Sequence, residues 1–179
     1  MKLSVKRLLA VALALVLCLS LLPGIAMAAD VYTQVTTMGD ITSGGQFVIV
    51  ADGYAMGTTL SYGKIYGTAV TPNGDTLSGA SLPVWTIKGV SGGISISVDG
   101  QYLAYESSTN FVMASEPYTW TVTAGEGGFI LKAKADDTRG IFLQTSKSRF
   151  GAYSTSNTSG YVFELQLYKL TEGGSSEPT

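Results

Sequence analysis

The sequence predicts an all-β fold, and three observations carry that prediction. From Val31 onward apolar residues alternate with Ser, Thr and Gly at a period of two, the spacing of half-buried strands, with hardly a segment of helical periodicity. Asp52-Gly53, Asn73-Gly74 and Asp99-Gly100 punctuate the chain with residues that tolerate positive φ and suit tight hairpins. A single grammar then occurs three times: a glycine pair, an apolar run, an aromatic-plus-aliphatic step and a closing aromatic. A unit that recurs in this way buries its apolar face against its copies.

Taken in order, the first 28 residues read as an export signal rather than as part of the fold. Lys2, Lys6 and Arg7 form a basic region, Leu8 to Leu22 an apolar one, and Ala26-Met27-Ala28 a small-residue cleavage motif. The run is short for a membrane span and is broken by Pro23-Gly24. Cleavage before Ala29 is therefore expected, with the protein secreted or extracellular and no membrane span retained. A single all-β domain is expected over residues 29–170. Tyr32-Thr33-Gln34-Val35 reads as a lead-in strand that pairs with the last one, Phe163 to Tyr168, because a closed β-domain brings its ends together.

The three units are expected at about 44–91, 92–126 and 127–170. In the first, Gly44-Gly45 leads into Phe47-Val48-Ile49-Val50, then Tyr54-Ala55-Met56, and Trp85 closes. The second runs from Gly92-Gly93 through Ile94 to Val98, Tyr102-Leu103 and Phe111-Val112-Met113 to Trp120. Gly127-Gly128, Phe129-Ile130-Leu131, Phe142-Leu143, Phe150 and Phe163 make up the third. The first unit is longer because of a polar, turn-rich stretch from Thr71 to Ser81, read as a surface loop or small hairpin excursion. Residues 171–179 read as a flexible tail or linker stub.

Composition excludes several functions. Without the signal the chain keeps 8 basic residues against 13 acidic ones, scattered rather than clustered, which argues against nucleic acid. It has no histidine, and its one cysteine, Cys18, lies within the signal. The commonest general base, triad partner and zinc ligand are thus missing, so no enzyme, no cofactor and no metal site is expected. Asp136-Asp137 could offer oxygens to calcium, but the spacing is not that of a calcium loop, and a solvated turn reads better.

The tripled unit of roughly 40 residues, with glycine-led strands, the Gln101-Tyr102-Leu103 step and a Trp closing each of the first two units, resembles the β-trefoil superfamily. The resemblance takes in the ricin-type lectin and fascin-like branches of that superfamily. Pro83 and Tyr118 stand where ricin-type units carry Gln two positions before the closing Trp. In texture the chain is similar to small secreted β-modules of Gram-positive bacteria. The resemblance implies a barrel with a pseudo-threefold repeat, another small β-barrel or a β-sandwich being the alternatives, and a binding rather than a catalytic role.

Flat rings stack on the apolar faces of sugars, so the ten tyrosines are the candidate recognition groups. Trp85, Trp120, Phe47, Phe129, Phe142 and Phe163 recur at equivalent positions and are assigned to the core. Tyr62, Tyr66, Tyr105, Tyr118 and Tyr153 fall outside that pattern and read as exposed or half-buried strand residues, or as ligand platforms. Both signs of charge, an amide and rings gather in Asp136, Asp137, Arg139, Gln144, Lys147, Arg149 and Tyr153. Tyr105, Asp136, Asp137, Arg139, Gln144 and Tyr153 are accordingly the candidate ligand-binding residues. A secreted, non-catalytic, monomeric module for a glycan or cell-surface polysaccharide is expected. A structural or protein-interaction module and a protease inhibitor, the last through the Thr71–Ser81 stretch, are the alternatives.

Overall fold

A computed structural model describes residues 29–79, 81–157 and 159–172, which fall in one compact unit, Ala29–Gly174. The expected export signal and most of the expected tail lie outside the described residues. The described residues form fifteen strands, one short helix, α1 (Met38–Thr42), and one 3-10 turn, Thr145–Lys147. Thr37 caps α1, its hydroxyl accepting from the Asp40 amide at 3.2 Å. Among the described residues no helix is long and apolar enough to cross a membrane.

The strands are β1 (Val31–Gln34), β2 (Gly45–Ala51), β3 (Tyr54–Ser61), β4 (Lys64–Ala69), β5 (Thr76–Ser78), β6 (Trp85–Val90), β7 (Gly93–Val98) and β8 (Gln101–Ser107). They continue as β9 (Asn110–Ala114), β10 (Trp120–Ala124), β11 (Phe129–Ala133), β12 (Asp136–Gln144), β13 (Arg149–Ser154), β14 (Tyr161–Val162) and β15 (Gln166–Glu172). Every pairing is antiparallel, and the ladder closes on itself through β2, β3, β4, β13, β12, β11, β10, β7 and β6. The result is a nine-strand barrel with further strands on its margins. β15 and β1 extend from β2, the β8–β9 hairpin from β7, and β14 lies on β12.

Alternation fills the interior. Phe47, Ile49, Trp85, Ile87, Ile94, Ile96, Trp120, Leu131, Ile141, Leu143 and Leu165 form the main core and are essentially fully buried. The two tryptophans satisfy their indole N–H on a backbone carbonyl: Trp85 donates to Met56 O at 3.2 Å, Trp120 to Leu103 O at 2.9 Å. Glycine makes room for the strands to meet. A Cβ at Gly93 would collide with Trp120 O, and one at Gly128 with Leu165 O.

That register corrects one assignment. Trp85 pairs with Phe47, Trp120 with Ile94, and Leu165 with Phe129, so Leu165 rather than Phe163 occupies the closing position of the third segment. Two residues earlier, Phe163 is 37% exposed and leans on Phe142 with ring centroids 5.7 Å apart. Phe142 is buried, but it faces away from the main core on the outer side of β12.

Two further expectations change. The Thr71–Ser81 stretch does turn back on itself, Asn73 bridging to Thr76, but it is anchored as well, because β5 within it pairs with β1 and buries Leu77 in a second cluster with Tyr32, Val48, Val50, Ala55 and Tyr168. The strand fixes the segment to the barrel wall, and a protruding inhibitory loop is not what it forms. At the other end, Thr171 and Glu172 belong to β15 rather than to a tail, and the Thr171 and Thr33 hydroxyls lie 2.9 Å apart. The lead-in strand does pair with the last strand, from Val31 opposite Glu172 to Gln34 opposite Tyr168.

Candidate functional site

The sequence-predicted residues do not form one site. Asp136 and Gln144 stand at opposite ends of β12, eight residues and therefore about 26 Å apart along an extended strand. Around Asp136 the carboxylate accepts from the Thr138 hydroxyl at 2.5 Å and the Thr138 amide at 3.1 Å, with Arg139 Nε at 3.9 Å. The Thr138 hydroxyl foremost, with the Thr138 amide, Arg139 and the Tyr105 hydroxyl, holds the Asp136 carboxyl below its ordinary 3.8. Asp137, the next residue of β12, is exposed. Among the described residues no three acidic, histidine or cysteine side chains come together in a way that could hold a metal.

Gln144 belongs to a different group, on the outer face of β12, β13 and β4. Its carbonyl oxygen accepts from Arg149 Nε at 2.9 Å and from the Tyr153 hydroxyl at 3.3 Å, and its amide nitrogen donates to the Tyr161 hydroxyl at 3.4 Å. Tyr153 is expected to be exposed or half-buried, and the structure corrects this: it is only 3% exposed. The Tyr161 ring sits 4.7 Å from its centroid and Lys64 Nζ 5.6 Å, so Tyr153 presents no free face to a sugar. Burial raises the Tyr153 hydroxyl above 10.0, Arg149 partly offsetting the rise. Tyr153 is thus a support for the surface rather than a platform on it.

Lys64 is the pin beneath this face. It is 6% exposed and its ammonium donates to Thr109 O at 2.5 Å, Asn110 Oδ1 at 2.6 Å and Thr109 Oγ1 at 2.8 Å, which ties β4 to the β8–β9 turn. Burial, with the nearby Arg149 charge, lowers its pKa from 10.5.

On this outer face of β4 Tyr66 offers an accessible ring, 55% exposed. Its two flanks differ. On one side β13 runs antiparallel and places Arg149 directly opposite Tyr66. On the other, β3 bulges: Met56 pairs with Gly67 and Leu60 with Ile65, which leaves Gly57, Thr58 and Thr59 facing Tyr66 alone. A Cβ at Gly57 would lie 2.7 Å from Tyr66 O, so the bulge needs glycine there. The swollen strand opens a cleft of about 490 Å³ lined by Thr58, Thr59, Ser61, Tyr66, Thr68 and Ser81, with Leu82 and Pro83 at its edge. The arrangement offers one ring face and a row of hydroxyls that both donate and accept, with Arg149, its Nε held by Gln144, on the neighbouring strand.

Sequence reasoning includes Tyr66 among the unassigned tyrosines but does not single it out. The hydroxyls of the cleft carry no recognisable motif, since they converge only through the bulge. Arg149 is noticed for charge, not for its place opposite Tyr66.

No family model matches the chain, and no curated protein matches it. Among solved structures the chain is similar to the crystal structure of the Rhizoctonia solani agglutinin, at 15% sequence identity and a TM-score of 0.49, covering 82% of this chain and 99% of that one.

Proposed function

We propose that the chain is an exported, non-catalytic β-trefoil module that binds glycan weakly through Tyr66 and the cleft beside it. The trefoil reading is supported by recurrence along the chain. The pairs β2–β6, β7–β10 and Phe129–Leu165 follow in order, and each precedes or encloses one hairpin, β3–β4, β8–β9 or β12–β13. Trp85 and Trp120 donate to carbonyls at corresponding places in β3 and β8. Export is supported by the basic region, apolar run and small-residue motif that precede Ala29.

One observation carries the glycan reading: an exposed ring, Tyr66, lines a cleft walled by Thr and Ser hydroxyls, with Arg149 its cross-strand partner on β13. Rings take the apolar faces of sugars, and hydroxyls exchange hydrogen bonds with sugar hydroxyls one for one. A shallow site of this kind binds with a dissociation constant of about 0.1–1 mM. It becomes useful through multivalency. An oligosaccharide array probed with the multimerised protein is therefore expected to show retention that is insensitive to chelator. Tyr66→Ala is expected to weaken it about tenfold. An array that stays blank, or retention indifferent to Tyr66→Ala, would sink the reading.

A further inference from the structure

Three tight hairpin turns in this protein share one backbone conformation. Asp52-Gly53 joins β2 to β3 with φ of 46° and 73°, Asp99-Gly100 joins β7 to β8 with 48° and 76°, and Tyr62-Gly63 joins β3 to β4 with 49° and 73°. Both φ values positive is the turn that matches strand twist, and aspartate or asparagine before glycine is its favoured sequence because short polar side chains tolerate the left-handed region. Two of the three turns follow that rule. The third places a tyrosine there, and the connections after β8 and β12 again use a small residue, Ser108 and Ser148, at positive φ.

The ring of Tyr62 gains nothing from the fold in return, for it is 100% exposed. The turn beneath it is nonetheless held firmly. Gly63 O accepts from the Phe111 amide at 2.9 Å, Asn110 abuts Gly63 so closely that a Cβ there would collide with it, and the neighbouring Lys64 is bound to Thr109 and Asn110. A disfavoured backbone that carries an unpacked aromatic on a rigid tip points outward, to a contact beyond the molecule. Its position says which contact. Ser61, immediately before Tyr62, lines the Tyr66 cleft, and the turn lies about 10 Å along the hairpin from Tyr66, further than one sugar ring extends.

We propose that Tyr62 is a second stacking platform, which extends the Tyr66 cleft into a binding surface for a glycan chain of several sugar units rather than for a terminal sugar. The proposal rests on the glycan reading of that cleft. It is tested by titrating the full chain with the disaccharide and the hexasaccharide of whichever array series it retains most strongly, using Tyr62→Asn, Tyr62→Trp and Tyr66→Ala. Tyr62→Asn places a residue that tolerates the left-handed turn, so the melting temperature is expected to stay or rise. Hexasaccharide affinity is expected to fall about three- to tenfold while disaccharide affinity holds, and Tyr62→Trp is expected to retain both. Unchanged hexasaccharide affinity, equal loss for the two lengths, or a lowered melting temperature in Tyr62→Asn overturns the proposal. If Tyr66→Ala weakens both oligomers and Tyr62→Asn neither, the cleft stands and its extension falls. If neither oligomer binds the wild-type protein, both fall together.

Discussion

Trp120 and Phe163 show what a repeat in sequence does and does not fix at the level of single residues. Both occupy the closing aromatic position by eye, yet Trp120 is fully buried with its indole bonded to Leu103 O, while Phe163 rests half in solvent on Phe142. Trp120→Ala is expected to cost about 3–5 kcal/mol, because a large void opens and a carbonyl loses its donor. Phe163→Ala is expected to cost only about 1 kcal/mol, since much of that ring already meets water. Urea unfolding of the two variants checks this, and equal losses would place Trp120 outside the core. The sequence makes the tryptophans legible because their neighbours alternate. It misleads at Phe163 because only the strand register reveals that Leu165 is opposite Phe129. Tyr153 misleads for a related reason: its polar flanks suggest exposure, but Tyr161 and Lys64, remote in sequence, cover it.

Among the elements, the predictable ones are those with local causes. The Asp-Gly turns, the period-two strands and the pairing of the first strand with the last all follow from backbone chemistry or from the need to close an edge. β5 and the β3 bulge do not. A three-residue strand in a polar stretch carries one apolar residue, Leu77, and nothing local says that β1 lies ready to receive it. Leu77→Ala is expected to cost about 2–3 kcal/mol and to make the 71–81 segment a preferred site of limited proteolysis. Cleavage no faster than in the wild type would mean that β5 is not anchored by that side chain. The bulge is equally invisible, since nothing in Gly57-Thr58-Thr59 announces that Gly67 and Ile65, two residues apart, claim partners four residues apart. Because the cleft exists only through that bulge, the candidate site was legible as a supply of tyrosines and not as a place.

For the whole molecule, the buried polar groups set the response to pH. Tyr32, Tyr118, Tyr153 and Tyr168 all have hydroxyls raised above 10.0, chiefly by burial. The unfolded chain ionises these first, so their contribution to stability is complete below pH 10 and is lost as pH climbs through the higher folded values. Lys64 acts in the opposite sense. Its folded pKa lies below 10.5, so the native state releases that proton first and gains on the unfolded chain as pH rises through the window beneath 10.5. Four groups against one make alkaline unfolding the expected outcome above about pH 10. Tyr153→Phe, which keeps the ring, is expected to make the fall in stability with pH shallower, as chemical denaturation at several alkaline pH values can show; an unchanged slope would mean that Tyr153 ionises alike in both states. The union of the ends has a mechanical consequence. Because β1 and β15 run antiparallel with Val31 beside Glu172, a tension drawn between these two strand ends does not shear that ladder but peels it, one hydrogen bond after another from the Val31 end, so the ladder that joins the first strand to the last on the barrel's margin is also where the domain would first come undone under load.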